Sequence, residues 1–344
     1  MMTMIEKFEI ELSQKQYRWL ITGVAGFIGS NLLEELLKLN QIVVGIDNFS
    51  TGYQHNIDEA LSSVTSEQAD NFIFIQGDIR DLEMCRKCTE NIDFVLQQAA
   101  LGSVPRSIKD PIATNASNID GFLNMLIASR DANVKRFVYA SSSSVYGDEK
   151  TLPKKEEITG KPLSPYAVTK YVDELYASMF FMHYNLQCIG LRYFNVFGKR
   201  QDPKGAYSAV IPRWIGNIIN NREITINGDG ETSRDFCYID NVIQANILAA
   251  FTKNIDAVGN VYNIAYGQKT TLNELFEMIC EEIKKNKAET KIFNPIYGFF
   301  RDGDIRQSLA DISKARNLLG YSPKYAIHEG MLETVEWFIR HSQN

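Results

Sequence analysis

Apolar runs of strand length alternate with segments of helical periodicity along the first half of the chain. Six such runs begin between residues 18 and 187: RWLITGV, QIVVGIDNF, FIFIQGDI, DFVLQQAA, KRFVYASS and QCIGLRYF. Several are apolar throughout rather than alternating, which is typical of parallel strands covered by helices on both faces. The pattern predicts an α/β fold, in which a Rossmann-type doubly wound parallel sheet is accompanied by a smaller C-terminal α/β lobe.

This regularity fades after about residue 195, where loop-rich segments rich in Gly, Asp and Ser follow. Two later strand candidates, DFCYID and VYNIAY, are expected to return to the first domain. We predict a helical extension over residues 1–18, lying on the surface outside the alternating core. The predicted sheet domain covers residues 19–195 with returning segments near 236–265, and the second lobe comprises residues 196–235 and 266–344.

Charge and hydropathy argue against two classes of partner. The chain carries a net charge of −6 and has no block of Lys or Arg to attract nucleic acid or an anionic membrane. It lacks the apolar segment of a secretory signal, and no stretch reaches the roughly 18 apolar residues that a membrane span needs. We therefore expect no nucleic-acid partner, no membrane partner and a cytoplasmic location.

The five cysteines are scattered and odd in number, which indicates a reducing compartment rather than a disulfide framework. Cys85 and Cys88 form a CxxC pair, but neither a second pair nor a nearby His completes a zinc site. No metal is predicted.

A glycine-rich turn joins the first predicted strand to the first helix of the alternating region. Gly23, Gly26 and Gly29 lie at this turn, where they let backbone amides close on a pyrophosphate and let the helix pack against the strand. The next strand ends in Asp47, whose carboxylate can accept hydrogen bonds from ribose hydroxyls and would repel a 2′-phosphate. Asn48 follows instead of an Arg, so the pattern predicts NAD rather than NADP.

Two further strand ends extend the predicted cofactor site. The third strand is predicted to end in Asp78 and Ile79, a place where such folds can hold adenine, and the fourth in Gln98, Ala99 and Ala100. Small residues at the second place would let the cofactor lie over the sheet edge, although close packing at a strand end explains them equally well.

A serine-rich strand end and a Tyr/Lys pair add chemistry to this binding site. YASSSSVYG covers residues 139–147, and Tyr166 and Lys170 stand four apart in SPYAVTKY. On a helix, which the apolar face through Leu175 and Met179 predicts, both side chains project from one face. The Lys ammonium and a positive nicotinamide would favour the phenolate, so that Tyr166 can act as a base. A serine hydroxyl could bind the same substrate oxygen and stabilise the developing charge.

Together these segments resemble an extended short-chain dehydrogenase/reductase: TGVAGFIGSNL, Asp47, YASSSSVYG, YAVTK and LRYFNVFG. AALGSVPRS, RYFNVFGKRQDPKGAYSAVIPRW and INGDGETSRDFCYIDN are similar, more narrowly, to bacterial UDP-N-acetylglucosamine 4-epimerases and related UDP-N-acetylhexosaminuronate 4-epimerases of surface-polysaccharide pathways. The likeness runs from about residue 17 to residue 340.

The resemblance implies a role for each matching position. The implied catalytic residues are Ser142, Tyr166 and Lys170. The implied cofactor-binding residues are Gly23, Gly26, Phe27, Ile28, Gly29, Asp47, Asn48, Asp78, Ile79, Gln98, Ala99, Ala100, Asn118, Tyr166, Lys170 and Tyr193. The implied substrate-binding residues are Gly102, Ser103, Ser142, Ser143, Ser144, Asn195, Gln201, Ala209, Val210, Asn227, Arg234, Arg301, Asp304 and Ser308.

In such epimerases, Tyr166 would remove the proton of the sugar 4-hydroxyl while a hydride from C4 passes to NAD⁺. The resulting 4-ketose must then turn over, so UDP is gripped by polar side chains such as Arg and Asp while small residues surround the hexose. Relatives limited to UDP-glucose-type substrates carry a bulky aromatic where this chain has Ser308, so the resemblance implies room for a 2-acetamido group. The implied reaction interconverts UDP-GlcNAc and UDP-GalNAc.

Three other functions share parts of this sequence pattern. A UDP-N-acetylglucosaminuronate 4-epimerase stays open, because Ser144 or Arg106 could bind the substrate carboxylate. A 4,6-dehydratase needs an Asp/Glu acid–base pair where Ser143 and Ser144 stand. A non-catalytic NAD-binding regulator would be expected to lack Tyr166 or Lys170.

One position departs from the resemblance, and one partner follows from it. Close relatives usually carry His where this chain has Gln98, which leaves local cofactor hydrogen bonding in question. A homodimer is also implied, through the helix that bears Tyr166 and the helix around Asn118. The apolar stripe Tyr171, Leu175 and Met179 is compatible with such an interface and equally with core burial.

Overall fold

The chain folds around one seven-stranded parallel sheet, with further short strands beside it. The computed structural model describes residues 3–203, 209–300 and 305–341. The strands are β1 (Arg18–Thr22), β2 (Ile42–Asp47), β3 (Phe72–Gln76), β4 (Phe94–Gln97), β5 (Arg136–Ser142), β6 (Cys188–Tyr193), β7 (Val196–Phe197), β8 (Thr225–Asn227), β9 (Ser233–Arg234), β10 (Cys237–Tyr238), β11 (Val261–Ile264), β12 (Thr270–Thr271) and β13 (Ile296–Gly298).

Fourteen α-helices lie among the described residues. They are α1 (Met4–Gln14), α2 (Phe27–Lys38), α3 (Gln54–Ser62), α4 (Ser66–Ala69), α5 (Leu82–Thr89), α6 (Val104–Lys109), α7 (Pro111–Asn115), α8 (Gly121–Asp131), α9 (Pro165–Tyr184), α10 (Val210–Ile219), α11 (Ile239–Phe251), α12 (Leu272–Asn286), α13 (Ser313–Leu319) and α14 (Ile327–His341). A π-helical turn, Ala116–Asp120, joins α7 to α8, and 3₁₀ turns cover Ser143–Tyr146 and Ile255–Ala257.

The main sheet has the strand order β11-β6-β5-β4-β1-β2-β3, and every neighbouring pair in it is parallel. The chain thus starts in the middle of the sheet, winds outward through β2 and β3, and then winds outward on the other side through β4, β5 and β6. This confirms the prediction of a Rossmann-type doubly wound α/β fold. The direction in which the strands are added to the sheet reverses between β1 and β4, and this leaves a crevice at the carboxyl ends of these two parallel strands.

Successive side chains of β1 lie on opposite faces of the sheet. Trp19 and Ile21 belong to the larger buried cluster, whereas Leu20 belongs to the cluster on the opposite face. Trp19 is fully buried, and its ring lies 4.6 Å from that of Phe94 and 6.0 Å from that of Phe251. Both faces are therefore closed by helices, which explains why the strand reads as continuously apolar.

The N-terminal helix α1 is part of the main core. Ile5, Phe8 and Leu12 are buried, and the Phe8 ring packs against Phe251 of α11 at 5.6 Å. Burying an aliphatic or aromatic side chain of this size contributes about 1.5–3 kcal/mol. The helix therefore lies on the surface, but it is not outside the core as expected, because its apolar face packs on α11.

Short strands organise the residues beyond the main alternation. β7 pairs with β10, β9 with β12 and β8 with β13, each as a two-stranded sheet. VYNIAY returns to the main sheet as predicted, where β11 pairs with β6. DFCYID does not, because its two-residue strand β10 pairs only with β7 in a separate sheet. The division into a sheet domain and a second lobe stays a prediction.

The thiols of the CxxC pair, Cys85 and Cys88, are both buried. Burial raises the pKa of the Cys85 thiol to about 12 and that of Cys88 to about 11, so both are protonated near neutral pH. Within residues 3–203, 209–300 and 305–341 there is no group of three or more His, Cys, Asp or Glu side chains that could hold a metal ion. No helix in that part of the chain is long and apolar enough to cross a membrane.

Candidate active site

A cavity of about 470 Å³ opens at the carboxyl ends of the central strands. Twelve of the predicted cofactor residues line it: Gly23, Gly26, Phe27, Ile28, Gly29, Asp47, Asn48, Asp78, Ile79, Gln98, Ala99 and Ala100. Four predicted substrate residues line the same cavity: Gly102, Ser103, Gln201 and Ala209. The glycine turn and the ends of β2, β3 and β4 thus converge on one crevice, at the position where the strand order reverses. The other four predicted cofactor residues, Asn118, Tyr166, Lys170 and Tyr193, are not among its lining residues.

The glycine-rich turn is close-packed at its two ends. Gly23 has a φ of +68°, and a Cβ there would lie 2.9 Å from the backbone of Ala99. A Cβ on Gly29 would lie 2.1 Å from the carbonyl oxygen of Gly23, closer than any side chain tolerates. Gly26 precedes α2 without a side-chain hydrogen bond to the first turn. The turn therefore presents the amide end of α2 to the cavity with no side chain in between.

Asp47 connects the second strand to this turn. Its Oδ2 accepts a hydrogen bond from the Ala25 amide at 2.9 Å, and its Oδ1 accepts one from the Phe49 amide at 2.8 Å. Burial raises the pKa of the carboxyl, and these backbone hydrogen bonds oppose that effect. Because a carboxylate has about four acceptor positions, Asp47 can hold the turn and still accept from a ligand hydroxyl.

The loop after β3 forms the neighbouring wall. Asn48 donates from Nδ2 to Asp78 Oδ2 at 2.7 Å, and the Arg80 guanidinium binds the same Asp78 carboxylate at 2.7 Å. The hydrogen bonds from Arg80 lower the pKa of Asp78 to about 2, so its charge persists across the neutral range. The third strand ends at Gln76 rather than at Asp78 and Ile79, because the chain turns into a loop two residues before the predicted end.

Gln98 takes part in a buried polar network across three elements. Its Nε2 donates to Asn246 Oδ1 at 3.2 Å and its Oε1 accepts from the Tyr193 hydroxyl at 3.2 Å. Asn246 in turn donates to the same hydroxyl at 2.9 Å. Burial raises the pKa of Tyr193, so this phenol stays neutral. Both amide atoms of Gln98 thus have hydrogen-bond partners within the protein.

Thr22 fixes the end of β4. Its hydroxyl oxygen accepts from the amides of Gln98 at 3.1 Å and Ala99 at 3.0 Å, and the hydroxyl donates to Gln97 Oε1 at 2.8 Å. The fourth strand therefore ends at Gln97, before the predicted Gln98, Ala99 and Ala100, since the next two amides donate to the side chain of Thr22 and not to the backbone of β1.

Asn118 bridges the cavity wall and the helix that bears the Tyr/Lys pair. Its Oδ1 accepts from the Leu101 amide at 2.7 Å, and its Nδ2 donates to the Leu101 carbonyl at 3.3 Å and to Thr169 Oγ1 at 3.0 Å. The side chain is buried within the π-helical turn. Leu101 lines the cavity and Thr169 directly precedes Lys170, so one amide sets the distance between the two parts of the site.

The three predicted catalytic residues lie around the carboxyl end of β5. Ser142 ends this strand opposite Tyr193 of β6, and its Oγ accepts from the Ser144 amide at 3.1 Å. Lys170 reaches the strand from α9, because its Nζ donates to the Ala140 carbonyl at 2.9 Å. Tyr166 lies one turn earlier on the same helix and is half-buried. Tyr166 and Lys170 therefore share one helix beside the serine-rich strand end.

A buried ion pair supports this strand and helix from the side of β6. Arg192 contacts Glu174 through two hydrogen bonds, Nε to Oε1 at 2.9 Å and Nη2 to Oε2 at 2.8 Å. Glu174 also accepts from the Ser141 hydroxyl. Glu174 lies on α9 and Ser141 on β5, so the network joins three elements directly behind Ser142. Removing one partner of such a buried pair costs about 3–5 kcal/mol.

The remaining predicted substrate residues lie on separate segments beside the cavity. The structure places Ser143 and Ser144 in the 3₁₀ turn after β5, Val210 at the start of α10, Asn195 between β6 and β7, Asn227 at the end of β8 and Arg234 in β9. Ser308 is half-buried, and its amide donates to the Ser233 carbonyl at 3.1 Å, next to Arg234. None of these six, nor Ser308, is among the lining residues of the cavity. Arg301 and Asp304 lie outside the described residues.

This chain is similar to a family of known proteins. A family model described as the NAD dependent epimerase/dehydratase family matches residues 19–265. The chain belongs to this family. It is 38% identical to the structure of a UDP-N-acetylglucosamine 4-epimerase from Methanobrevibacter ruminantium in complex with UDP-N-acetylmuramic acid, with a TM-score of 0.86 over 96% of this chain and 100% of the other.

Other members of the family are similar over nearly the whole chain. A UDP-glucose 4-epimerase of Mycolicibacterium smegmatis is 34% identical over 95% of this chain and all of the relative. The structure of a UDP-glucuronic acid 4-epimerase from Bacillus cereus, in complex with UDP-glucuronic acid and NAD, is 33% identical with a TM-score of 0.82. It covers 94% of this chain and 99% of the other. The three differ in the sugar that their names give.

NAD is the cofactor of this family, and the residues of the cavity fit it. The amide end of α2 has no capping side chain and faces the space that the three glycines leave open, as a pyrophosphate requires. Asp47 lies at the end of β2, the position that suits a ribose diol. The same carboxylate would repel a phosphate on that ribose, which favours NAD over NADP.

Several residues that organise the site are absent from the sequence-based prediction. Thr22 and Arg80 hold the loops around the cavity, and Glu174 with Arg192 supports the catalytic strand. Asp235 is fully buried next to the predicted substrate residue Arg234, and it accepts from the amides of Tyr266 and Gly267. No apolar run in the sequence marks Asp235 as buried, because Arg234 directly precedes it.

Proposed function

We propose that this chain inverts C4 of a UDP-linked N-acetylhexosamine, interconverting UDP-GlcNAc and UDP-GalNAc. The observation that carries the proposal is the joint position of two parts. Leu101 lines the NAD cavity, and Asn118 ties that residue to the helix segment that carries Tyr166 and Lys170. The names of the similar proteins all give 4-epimerisation of a UDP-sugar as the activity, and they differ in the sugar.

The chain's own residues hold the sugar oxygen and move its proton. NAD, when bound, takes up and returns the hydride at the sugar carbon. Tyr166, as the phenolate, removes the proton of the 4-hydroxyl, and as the resulting phenol it later returns that proton, which is general acid–base catalysis. Ser142 donates to the same oxygen as charge develops on it, and the Lys170 ammonium favours the phenolate through its positive charge.

Small residues favour a substrate that carries a 2-acetamido group. Gly102 and Ser103 line the end of the cavity, and Ser308 is a half-buried serine beside Arg234. A sugar that must present both faces needs loose packing, whereas the uridine diphosphate must be held by charged and polar groups. We assign this second task to Arg234, Arg301 and Asp304. The product would serve as a precursor of surface polysaccharide.

A C6 uronate is the second candidate substrate. Arg106 lines the cavity together with Gly102 and Ser103, so a guanidinium stands at the sugar end of the crevice. A guanidinium binds a carboxylate through two parallel hydrogen bonds. This favours UDP-N-acetylglucosaminuronate as the alternative, with the same inversion at C4.

We further propose a cytoplasmic homodimer formed through α9 and its neighbours. Leu175 and Met179 of α9 are 50% and 41% exposed, and Ile108 and Ile112 of α6 and α7 are 64% and 82% exposed. Large apolar side chains on neighbouring helices form a surface that a second copy can cover. The expected result is a dimer by light scattering, converted to a monomer by Leu175→Glu with Met179→Glu.

The test of function is turnover by the purified protein without added cofactor. UDP-GlcNAc, UDP-N-acetylglucosaminuronate and UDP-glucose are supplied separately, and the products are followed by NMR. Conversion of UDP-GlcNAc to UDP-GalNAc is expected. Faster conversion of the uronate would move the assignment to the acid epimerase, and no inversion of any of the three would overturn the proposal.

A further inference from the structure

The carboxylate of Asp173 is buried against the predicted catalytic lysine. Asp173 lies one helical turn after Lys170 on α9, and its Oδ2 accepts a hydrogen bond from Lys170 Nζ at 3.2 Å. The side chain of Asp173 is 0% exposed and that of Lys170 is 5% exposed. Asp173 Oδ1 has no hydrogen-bond partner within the described part of the chain. The only polar contact that the structure gives this side chain, among the described residues, is thus with Lys170.

The charges around Asp173 pair one to one. The neighbouring carboxylate, Glu174, accepts from Nε and Nη2 of the Arg192 guanidinium and from the Ser141 hydroxyl. It is therefore committed to β6 and β5 and does not serve as the counter-ion of Lys170. An ammonium removed from water to this depth is costly unless an opposite charge accompanies it. Asp173 supplies that charge.

We propose that Asp173 is a positioning residue that acts through Lys170. It supplies the opposite charge for the buried ammonium and, together with the Ala140 carbonyl, fixes Nζ against the end of β5. The ammonium has three donors, of which these two contacts use two, so one donor is left to point at a ligand. This inference rests on the proposed function, since Lys170 is the group through which Asp173 acts.

The groups that face Asp173 define its pH range. Burial raises the pKa of Asp173 to about 7, Lys170 acts to lower it, and Glu174 acts to raise it. Tyr139 of β5 is a buried phenol whose pKa is raised by burial and by both carboxylates, so it is neutral. Arg192 of β6 is paired with Glu174. Above about pH 7 Asp173 is therefore a counter-ion, and below it the carboxyl is neutral.

The test compares Asp173→Asn with Asp173→Glu in the NAD-bound enzyme, by the dependence of kcat/KM on pH. Asp173→Asn keeps the shape and removes the charge. We expect it to match the wild type below about pH 7, where Asp173 is itself neutral. The alkaline decrease of kcat/KM should begin about one to three pH units lower in Asp173→Asn than in the wild type, because a buried ammonium without a counter-ion loses its proton more easily. Asp173→Glu should restore the wild-type profile.

A matched control is Glu174→Gln, which neutralises the adjacent buried carboxylate that does not contact Lys170. It should lower the melting temperature and leave the alkaline limb in place. An equal shift of this limb in both neutral variants would overturn the proposal, as would an Asp173→Asn profile parallel to that of the wild type at every pH.

A second measurement does not depend on turnover. Lysine labelled with ¹³C at Cε is titrated by NMR in the wild type and in Asp173→Asn, and the Lys170 resonance is assigned by its absence from Lys170→Arg. The resonance should titrate at lower pH in Asp173→Asn, and equal midpoints would refute the role of Asp173. If the wild type inverts no UDP-sugar while the midpoints differ, the proposed function fails and the pairing of Asp173 with Lys170 stands.

Discussion

Asn118→Ala tests whether one side chain joins the cofactor cavity to the catalytic helix. The change removes three hydrogen bonds, two to the backbone of Leu101 and one to Thr169 Oγ1. Each buried polar group left without a partner costs about 1–3 kcal/mol. Because Leu101 is only half-buried and can recruit water, we expect the free energy of unfolding to fall by about 2–4 kcal/mol in total.

The effect on catalysis should exceed what the loss of stability explains. Without Asn118 the Leu101 segment and the start of α9 can move apart, and a misplacement of about 1 Å at a reacting centre costs about 100-fold in rate. We expect kcat to fall by about this factor while the NAD content stays close to that of the wild type, since the glycine turn and Asp47 are unchanged.

Asn241→Ala is the matched control for this prediction. Asn241 is also a fully buried amide with three hydrogen bonds to a loop, two accepted from the amides of Lys324 and Tyr325 and one donated to the Tyr325 carbonyl. Its loss should reduce the unfolding free energy, measured by urea denaturation, by a similar amount and leave kcat unchanged. The reasoning is refuted if both variants lose kcat equally, or if Asn118→Ala loses stability alone.

Three further predictions follow from the site and its surroundings. Tyr166→Phe should abolish turnover by NMR while bound NAD, released by heat and quantified, stays at the wild-type level; retained activity would contradict the acid–base role. Ser308→Tyr should suppress turnover of UDP-GlcNAc more than that of UDP-glucose, and an equal loss would argue against the volume explanation. Burial acts to raise the pKa of Glu34, but the charges of Arg200 and Lys199 outweigh it and lower the pKa to about 2. The ion pairs of Glu34 therefore stabilise the fold above about pH 4.5 and lose this effect as the pH falls toward 2, so the melting temperatures of wild type and Glu34→Gln should converge in acid.

The main sheet was predictable because its signal is local. The apolar runs from RWLITGV to QCIGLRYF each become a strand, and the glycine turn follows β1 where its spacing predicts. DFCYID carries the same apolar signal, yet β10 holds only two residues and pairs outside the main sheet. A short run does not specify its partner, which is set by contacts between distant segments.

The N-terminal helix shows a different failure. Ile5, Phe8 and Leu12 recur at the spacing of a buried helical face, so the signal for burial was in the sequence. What the sequence lacked was the place of the matching surface, which Phe251 provides more than 200 residues later.

The site residues show the same distinction between local sequence signals and contacts of distant segments. Gly23, Gly29 and Asp47 could be predicted from spacing, because their roles arise within one strand-turn-helix unit. The partners of Gln98 and Asn118 could not, because Asn246 and Thr169 lie 148 and 51 residues away. Asp173 stands three residues after Lys170 on one helix, and this contact was within reach of the helical periodicity.

The position of β11 at the edge of the main sheet affects how the protein can be made and divided. β11 pairs with β6, yet it is synthesised only after the short strands β7 to β10 have emerged. A nascent chain released up to residue 195 would therefore expose the whole outer edge of β6, an open template for pairing with other chains. Completion of the parallel sheet requires pairing over a long sequence separation by residues 261–264, which slows folding. Expression of residues 1–195 alone should thus yield aggregates, whereas a fragment that continues through α11 and β11 keeps the edge of β6 paired.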